Sequence, residues 1–503
     1  MRRALVLLAV LGAMLGVAAA PARAADFELG MEDEGLLLNN PQLAVFAVSD
    51  WSHLGVDVVR IHARWWEIAP QTDAVRKPSG FNAKDPDSKG YNWGALDTAV
   101  SMVRANGMRA MLTITGPGPL WSSTEPSRHN PLWIPRASDY ADFARAVATR
   151  YGSQVDRYLV WNEPNQQGWL QPQWQCDSRR RNCTPVSPHV YRSLVRAATP
   201  VIHAADPGSE VVMGELAPIG DPPISANTPV KPLIFMREMG CVDAHYKSVH
   251  TGRCKGFKAP QADSFGYHPH PLLNAPDKKN PDPDEAQFAD LSRLFSVLDK
   301  LRARKRLRVS GNIHLTEFGY QTNPPDKAVG ISLAKQTTYL QQAAYVAWKS
   351  KRVRGLSFYQ WDDEPVINRG GGTKRYSGWQ TGLRFNNGKP KPVLSTFPAP
   401  FIIERKGKAK SVRLWGQVRP DADRTIVVQI KPKGAADYTD VAPVTTAADG
   451  TWVYRLTIQT GASYRYRWTP APSLTELQPA PRASGSVDPS KSEKTEMRAG
   501  SAL

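Results

Sequence analysis

The sequence predicts a parallel (β/α)8 barrel followed by a small antiparallel β-sandwich. Three observations carry that expectation. Between about Asp26 and Pro398, short β-rich runs alternate with longer amphipathic ones, as repeated βα units around a parallel sheet require. After Pro390-Lys391-Pro392 the helical spacing stops and a period-two alternation replaces it. The chain, at 503 residues, also exceeds the size at which a single core keeps growing, so a large domain with a smaller companion is expected.

The strands can be read in order. A first fits Phe27 to Met31. A second fits Val56 to His62, where Val56, Val58, Val59 and Ile61 form the near-continuous apolar run of a strand buried on both faces. Leu96, Val100 and Val103 then recur at helical spacing until Asn106-Gly107 stops the helix, and Met108 to Ile114 supplies a third strand. Tyr140, Phe143, Ala144, Val147 and Tyr151 share one helix face, and Tyr158 to Trp161 follows as the fourth strand. Val211 to Gly214, Ser264 to His268, Ile313 to Thr316 and Leu356 to Tyr359 complete the eight, separated by helical stripes such as Phe288, Leu291, Phe295, Leu298 and Leu301.

Beyond the barrel, Val412 to Val418, Thr425 to Ile430, Trp452 to Ile458 and Tyr464 to Trp468 alternate like strands, with Asp449-Gly450 as a hairpin signal. The expected organisation is a signal peptide over 1–24, the barrel over 25–398, the sandwich over 399–469 and a disordered tail over 470–503. That tail is rich in Pro, Ser, Lys and Glu and has too few apolar residues to offset the entropy of ordering.

Arg2-Arg3, an apolar run from Ala4 to Ala20 and Ala22-Arg23-Ala24 have the three parts of a secretory signal, so a secreted chain is expected, with no membrane span after cleavage. The four cysteines allow three pairings. Joining neighbours, Cys176 with Cys183 and Cys241 with Cys254, closes short loops without crossing the core and is preferred. No CxxC spacing points to zinc, and no metal or other cofactor is implied. Lys and Arg number 64 against 46 Asp and Glu, a net +18, and removing Arg2, Arg3 and Arg23 leaves +15. This favours an anionic neighbour, an anionic glycan among them. The basic residues are scattered and accompany no recognition motif, so nucleic acid is not an expected partner. The chain is expected to act as a monomer.

In a βα barrel the reactive groups sit at the C-terminal ends of the strands. Glu163 follows the fourth strand and Glu317 the seventh, three units apart around an eight-fold ring, so the two can face each other across the mouth. In Trp161-Asn162-Glu163-Pro164-Asn165 and His314-Leu315-Thr316-Glu317-Phe318-Gly319 the chain resembles clan A of the glycoside hydrolases, over about Phe27 to Pro398, with families 39 and 5 nearest.

The resemblance implies a retaining hydrolase of O-glycosidic, β-linked bonds in a polysaccharide or oligosaccharide. Glu163 would be the acid/base and Glu317 the nucleophile. Arg60 resembles the strand-two arginine near the nucleophile, Asn162 the asparagine that binds the sugar 2-hydroxyl, and Trp361 the strand-eight tryptophan beneath the reacting sugar. In Phe265-Gly266-Tyr267-His268-Pro269-His270, His270 stands where many relatives carry a tyrosine, which leaves Tyr267, His268 and His270 as candidates for orienting Glu317.

Flat aromatic faces suit sugars, and Trp121 and Trp361, at strand ends, are expected in the cleft, with Trp65, Trp66, Trp169 and Trp174 as further candidates. Asp33, Glu34, Glu67, Glu215, Asp362 and Asp363 lack a partner segment that resembles a catalytic motif, and surface or cleft-lining roles are expected for them. A glycan-binding barrel without activity and a transglycosylase using the same two glutamates are the alternatives.

Overall fold

The fold is that of a computed structural model, which describes residues 27–179, 182–367, 378–419 and 424–468, and the backbone of 483–486, 496–499 and 501–502. The expected signal segment lies outside the described residues. Strands β1 (Glu28–Glu32), β2 (Val58–Arg64), β3 (Arg109–Thr115), β4 (Val155–Val160), β5 (Glu210–Leu216), β6 (Ser264–Tyr267), β7 (Ile313–Phe318) and β8 (Val353–Tyr359) close a barrel in chain order. Every neighbouring pair is parallel, and β8 closes onto β1 through pairs such as Leu29 with Leu356.

Helices α1 (Pro41–His53), α2 (Gly94–Ala105), α3 (Ala137–Tyr151), α4 (Ser187–Ala205), α5 (Pro232–Met239), α6 (Leu291–Ala303) and α7 (Leu333–Lys349) connect the strands. Each buries the stripe its spacing dictates; α2, for example, buries Leu96, Ala99, Val100 and Val103.

Several strands run longer than their apolar cores suggest. Strand β4 begins at Val155 and β5 at Glu210 because their polar starts are satisfied inside the barrel. Side chains alternate across a strand, so Glu28, Arg157 and His314 all point inward at the lower end. There Arg157 reaches both oxygens of Glu28, and His314 Nε2 lies 3.1 Å from Glu210 Oε1. One layer up, Val58, Met111, Leu159 and Val212 form a separate apolar cluster, one residue from each of β2 to β5. Two residues beyond Val58, the inward Arg60 brings charge back and begins the mouth.

The sandwich comprises β9 (Phe401–Arg405), β10 (Ser411–Gln417), β11 (Thr425–Lys431), β12 (Thr439–Thr445), β13 (Thr451–Thr457) and β14 (Ser463–Arg467). Its two antiparallel sheets enclose Phe401, Leu414, Val428, Trp452 and Tyr466. Strand β12 escaped the sequence reading because it is mostly exposed and carries no clear apolar alternation.

Of the tail expected to be disordered, only 483–486, 496–499 and 501–502 are among the described residues, and there the backbone forms strands. Strands β15 (Ala483–Ser486), β16 (Glu496–Ala499) and β17 (Ser501–Ala502) extend both sheets, β16 pairing with β9 and β15 with β14. The unpaired backbone of a sheet edge accepts a strand through main-chain hydrogen bonds, which need no apolar side chains on the added strand.

The sandwich docks directly on α7. Tyr345 donates to Glu404 at 2.8 Å, Lys349 also pairs with Glu404, and the ring of Trp415 packs on Tyr345 and Trp348 with centroids 5.2 and 5.6 Å away. Disulfides join Cys176 to Cys183 and Cys241 to Cys254. Among the described residues no helix is long and apolar enough to cross a membrane.

Candidate active site

At the C-terminal end of β4 the chain leaves the sheet through two residues in the left-handed region, Trp161 at φ 67° and Glu163 at φ 36°. Non-glycine residues reach that region at a cost of about 1–3 kcal/mol each. The bend carries Glu163 out of line with β4 and over the barrel axis. Glu317 needs no such device, since it lies within β7 and its side chain, 8% exposed, faces inward. One oxygen of each glutamate and one ring nitrogen each of His268 and His270 all fall within 4.8 Å of one another.

Arg60, fully buried on β2, ties the floor of this group together. Its Nη1 lies 2.7 Å from both oxygens of Glu32 and 3.2 Å from Glu317 Oε2. Its Nη2 donates to Asn162 Oδ1 at 2.6 Å and to Glu215 Oε2 at 2.8 Å. A guanidinium serves this junction because its planar fork offers five donors and stays charged.

His268 follows β6 directly. Its Nδ1 lies 3.1 Å from Glu163 Oε1 and 3.3 Å from Glu317 Oε2, while Nε2 lies 3.3 Å from Glu215 Oε2. The ionised carboxylates of Glu317 and Glu215 only accept hydrogen bonds, so the imidazole meets them best with a proton on each nitrogen. Burial opposes that charge, but Glu317, Glu163 and Glu215 outweigh it and push the proton affinity up to about 10.

His270 Nε2 lies 3.1 Å from the other oxygen of Glu317. Burial alone would raise the proton affinity of Glu317; the charge of His268, the hydrogen bond and charge of His270, and Arg60 reverse this and hold the carboxyl well below the usual range. Glu317 is therefore an anion poised at the mouth. Glu32 behaves oppositely: burial and the charge of Glu317 push its carboxyl up against the pull of Arg60.

Of the other residues singled out in the sequence, Asn162 joins the site through Arg60, whereas three turn away. Tyr267 faces the helix layer and donates to the Ala286 carbonyl at 2.6 Å. It precedes His268 by one residue, so strand alternation sends the two to opposite faces. Trp121 is 1% exposed, packs edge-on against Trp65 and donates to the Pro70 carbonyl. Trp361, also 1% exposed, packs against Trp51 of α1 beneath the Arg384 guanidinium. The cleft positions expected for both tryptophans are thus corrected: each fills the shell between barrel and helices, where large aromatic surfaces are most easily buried.

Four residues of the mouth carried no expectation as parts of the site: Glu32, His62, Tyr359 and Trp379. Glu34 and Glu215, expected in surface or cleft-lining roles, are buried at the mouth. His62 lies between Glu32 and Glu34, with one ring nitrogen 3.2 and 3.3 Å from each in turn. Trp379 is 36% exposed, stacks on His270 with centroids 5.6 Å apart and meets Tyr359 edge-on. Trp169 stands edge-on to His62. Glutamates at the C-terminal ends of the first and fifth strands were the available signal for Glu32 and Glu215. Trp379 sits too far from any strand for that rule to find it.

Two groups have a composition that could hold a metal ion, Glu163 with His268, His270 and Glu317, and Glu32 with Glu34 and His62. In the first, His268 and His270 each face a glutamate oxygen at 3.1 Å as hydrogen-bonded pairs; in the second, the His62 nitrogens lie 3.2 and 3.3 Å from Glu32 and Glu34 but make no hydrogen bond with them.

No family model matches the chain, and neither does any curated protein. Similar solved structures include a family 39 glycoside hydrolase from Bacteroides cellulosilyticus WH2, at 14% identity and TM-score 0.48, with 88% of this chain and 80% of that one covered. A glucosidase from Croceicoccus marinus aligns at 12% identity and TM-score 0.44, covering 82% and 89%. An endo-β-1,4-mannanase from Thermotoga petrophila aligns at 11% and 0.40, covering 92% and 97%. At such scores the functional reading has to rest on the geometry of the site.

Proposed function

We propose that the protein is a secreted, monomeric retaining glycoside hydrolase that cleaves O-glycosidic, β-linked bonds in a polysaccharide or oligosaccharide. The observation that carries this reading is the approach of Glu163 and Glu317, whose oxygens come within 4.8 Å. Retaining sites hold their carboxyl groups about 5–5.5 Å apart, whereas inverting sites leave about 6.5–9.5 Å for a water.

In the scheme this supports, Glu317 attacks the anomeric carbon while Glu163 gives its proton to the departing glycosidic oxygen. The carbon–oxygen bond breaks and a glycosyl ester forms on Glu317. Glu163, now a carboxylate, takes a proton from water; the resulting hydroxide displaces Glu317, and two inversions restore the original configuration. Arg60 and His270 keep Glu317 ionised for the attack, Asn162 lies where it can meet the sugar next to the nucleophile, and Trp379 offers an exposed flat face. The basic chain favours an anionic glycan as substrate. The two disulfides and the signal-like N-terminus support export.

The test is to incubate the mature protein and Glu317→Ala with neutral and acidic glycans, measure released reducing ends, and follow the first-formed anomer by proton NMR. Retained configuration with loss of activity in the variant supports the scheme. An inverted product, or equal activity in both proteins, would overturn it. Binding without cleavage would instead favour a glycan-binding barrel.

A further inference from the structure

The hydrolysis scheme leaves two fully buried carboxylates at the mouth without a task, Glu32 and Glu215. Glu215, at the end of β5, fills a space that exists only because its neighbour on β6 is glycine: a Cβ at Gly266 would come 1.6 Å from Glu215 Oε1. Thr316 donates to Oε1 at 2.8 Å, and Oε2 faces Arg60 Nη2 at 2.8 Å and His268 Nε2 at 3.3 Å. Arg60 already pairs with Glu32 and Glu317, so neutralising that guanidinium does not require a third acid.

The remaining contact points to His268. This imidazole is faced by Glu163 from the end of β4, Glu215 from β5, Glu317 from β7, the like charge of Arg60 from β2, and His270 from its own segment. With Nε2 engaged by Glu215, Nδ1 sits 3.1 Å from Glu163 and 3.3 Å from Glu317. We propose that Glu215 is a positioning residue that anchors His268 through Nε2, so that the single Nδ1–H serves Glu317 and Glu163 in turn as negative charge passes between them.

The logic rests on the retaining scheme. Before the first step the anion is Glu317; after it, Glu317 is an ester and the anion is Glu163. The donor is hydrogen-bonded to Glu163 and in ion-pair contact with Glu317, so it can meet either charge with only a small turn of the ring, which limits reorganisation during the step. Glu215 supplies the counter-charge that keeps the ring protonated and fixed in rotation.

Glu215→Gln preserves shape and removes that counter-charge. Expected are a fall in kcat of about 10- to 100-fold with little change in KM, and an alkaline limb of kcat/KM moved toward neutral by about one pH unit or more. Nitrogen-15 NMR of histidine-labelled protein without substrate should show His268 losing its proton at lower pH in the variant than in the wild type. Thr316→Val, which frees Glu215 Oε1 but keeps the charge, should shift both readouts in the same direction by less, and decides the matter if Glu215→Gln does not fold. An unmoved His268 titration, or an unmoved pH profile, overturns the proposal. Failure of the hydrolase reading is separately visible, as no product from any glycan with the wild type, and in that case the NMR titration alone decides.

Discussion

His270 Nε2 sits 3.1 Å from Glu317 Oε1, and the same imidazole lies against the face of Trp379. One ring thus connects the nucleophile to an exposed aromatic surface. Because Glu317 can only accept, Nε2 carries the hydrogen. His270→Phe keeps an aromatic ring and removes the donor; hydrogen bonds to charged groups are worth about 1.5–3 kcal/mol, so kcat/KM is expected to fall about 10- to 100-fold. His270→Tyr, which restores a donor, should recover most of that loss. Unchanged kinetics in His270→Phe would remove His270 from the support of the nucleophile.

The tryptophans divide by location. Trp379→Ala should raise KM for oligosaccharides while leaving urea stability within about 0.5 kcal/mol, as for other exposed sites. Trp361→Ala, which removes a buried ring packed on Trp51, is expected to cost about 3–5 kcal/mol. Kinetics and urea denaturation measured side by side separate the two, and a stable Trp361→Ala with impaired binding would return that residue to the cleft.

Stability should fall on the alkaline side. His268 binds its proton up to about pH 10 in the fold but only to about 6.5 as a free side chain. Its contribution is therefore complete below about pH 6.5 and is lost as the pH rises through about 10. His268→Gln should flatten the decline of Tm between pH 7 and 9, measured as about the same interval in both proteins. Parallel slopes would show that His268 is not held charged.

Removing the sandwich by ending the chain at Pro398 would bare Tyr345 and Trp348 on α7 and strip Lys349 of Glu404. The shortened barrel is expected to aggregate or to lose several degrees in Tm. A soluble barrel of unchanged Tm would make the sandwich an independent module.

The barrel was legible because its strands are apolar on both faces and its helices carry stripes at regular spacing. Val56 to His62 and the Leu96, Val100, Val103 stripe could scarcely form anything else. Strand starts were harder to read, since Arg157 and Glu210 look like surface charges until the inward alternation brings Arg157 to Glu28 across the barrel and to Glu210 on the next strand. The same blind spot hid Glu32 and the role of Glu215: a single strand does not reveal that its acids meet Arg60 from another. Trp121 and Trp361 misled because a strand-end position fixes height above the sheet but not the face on which a side chain lies. His268 and His270 beside Glu317, by contrast, could be anticipated among three candidates, and the direction of alternation excludes Tyr267.

The apolar layer of Val58, Met111, Leu159 and Val212 separates two nests of ions within one barrel, the lower built on Glu28 and Arg157 and the upper on Arg60. The partition covers β2 to β5. On the opposite side Thr316 of β7 and Ser357 of β8 line a cavity shared with Glu28, Arg157 and His314, and Thr316 also donates to Glu215, so its hydroxyl is a point at which one nest can feel a change in the other.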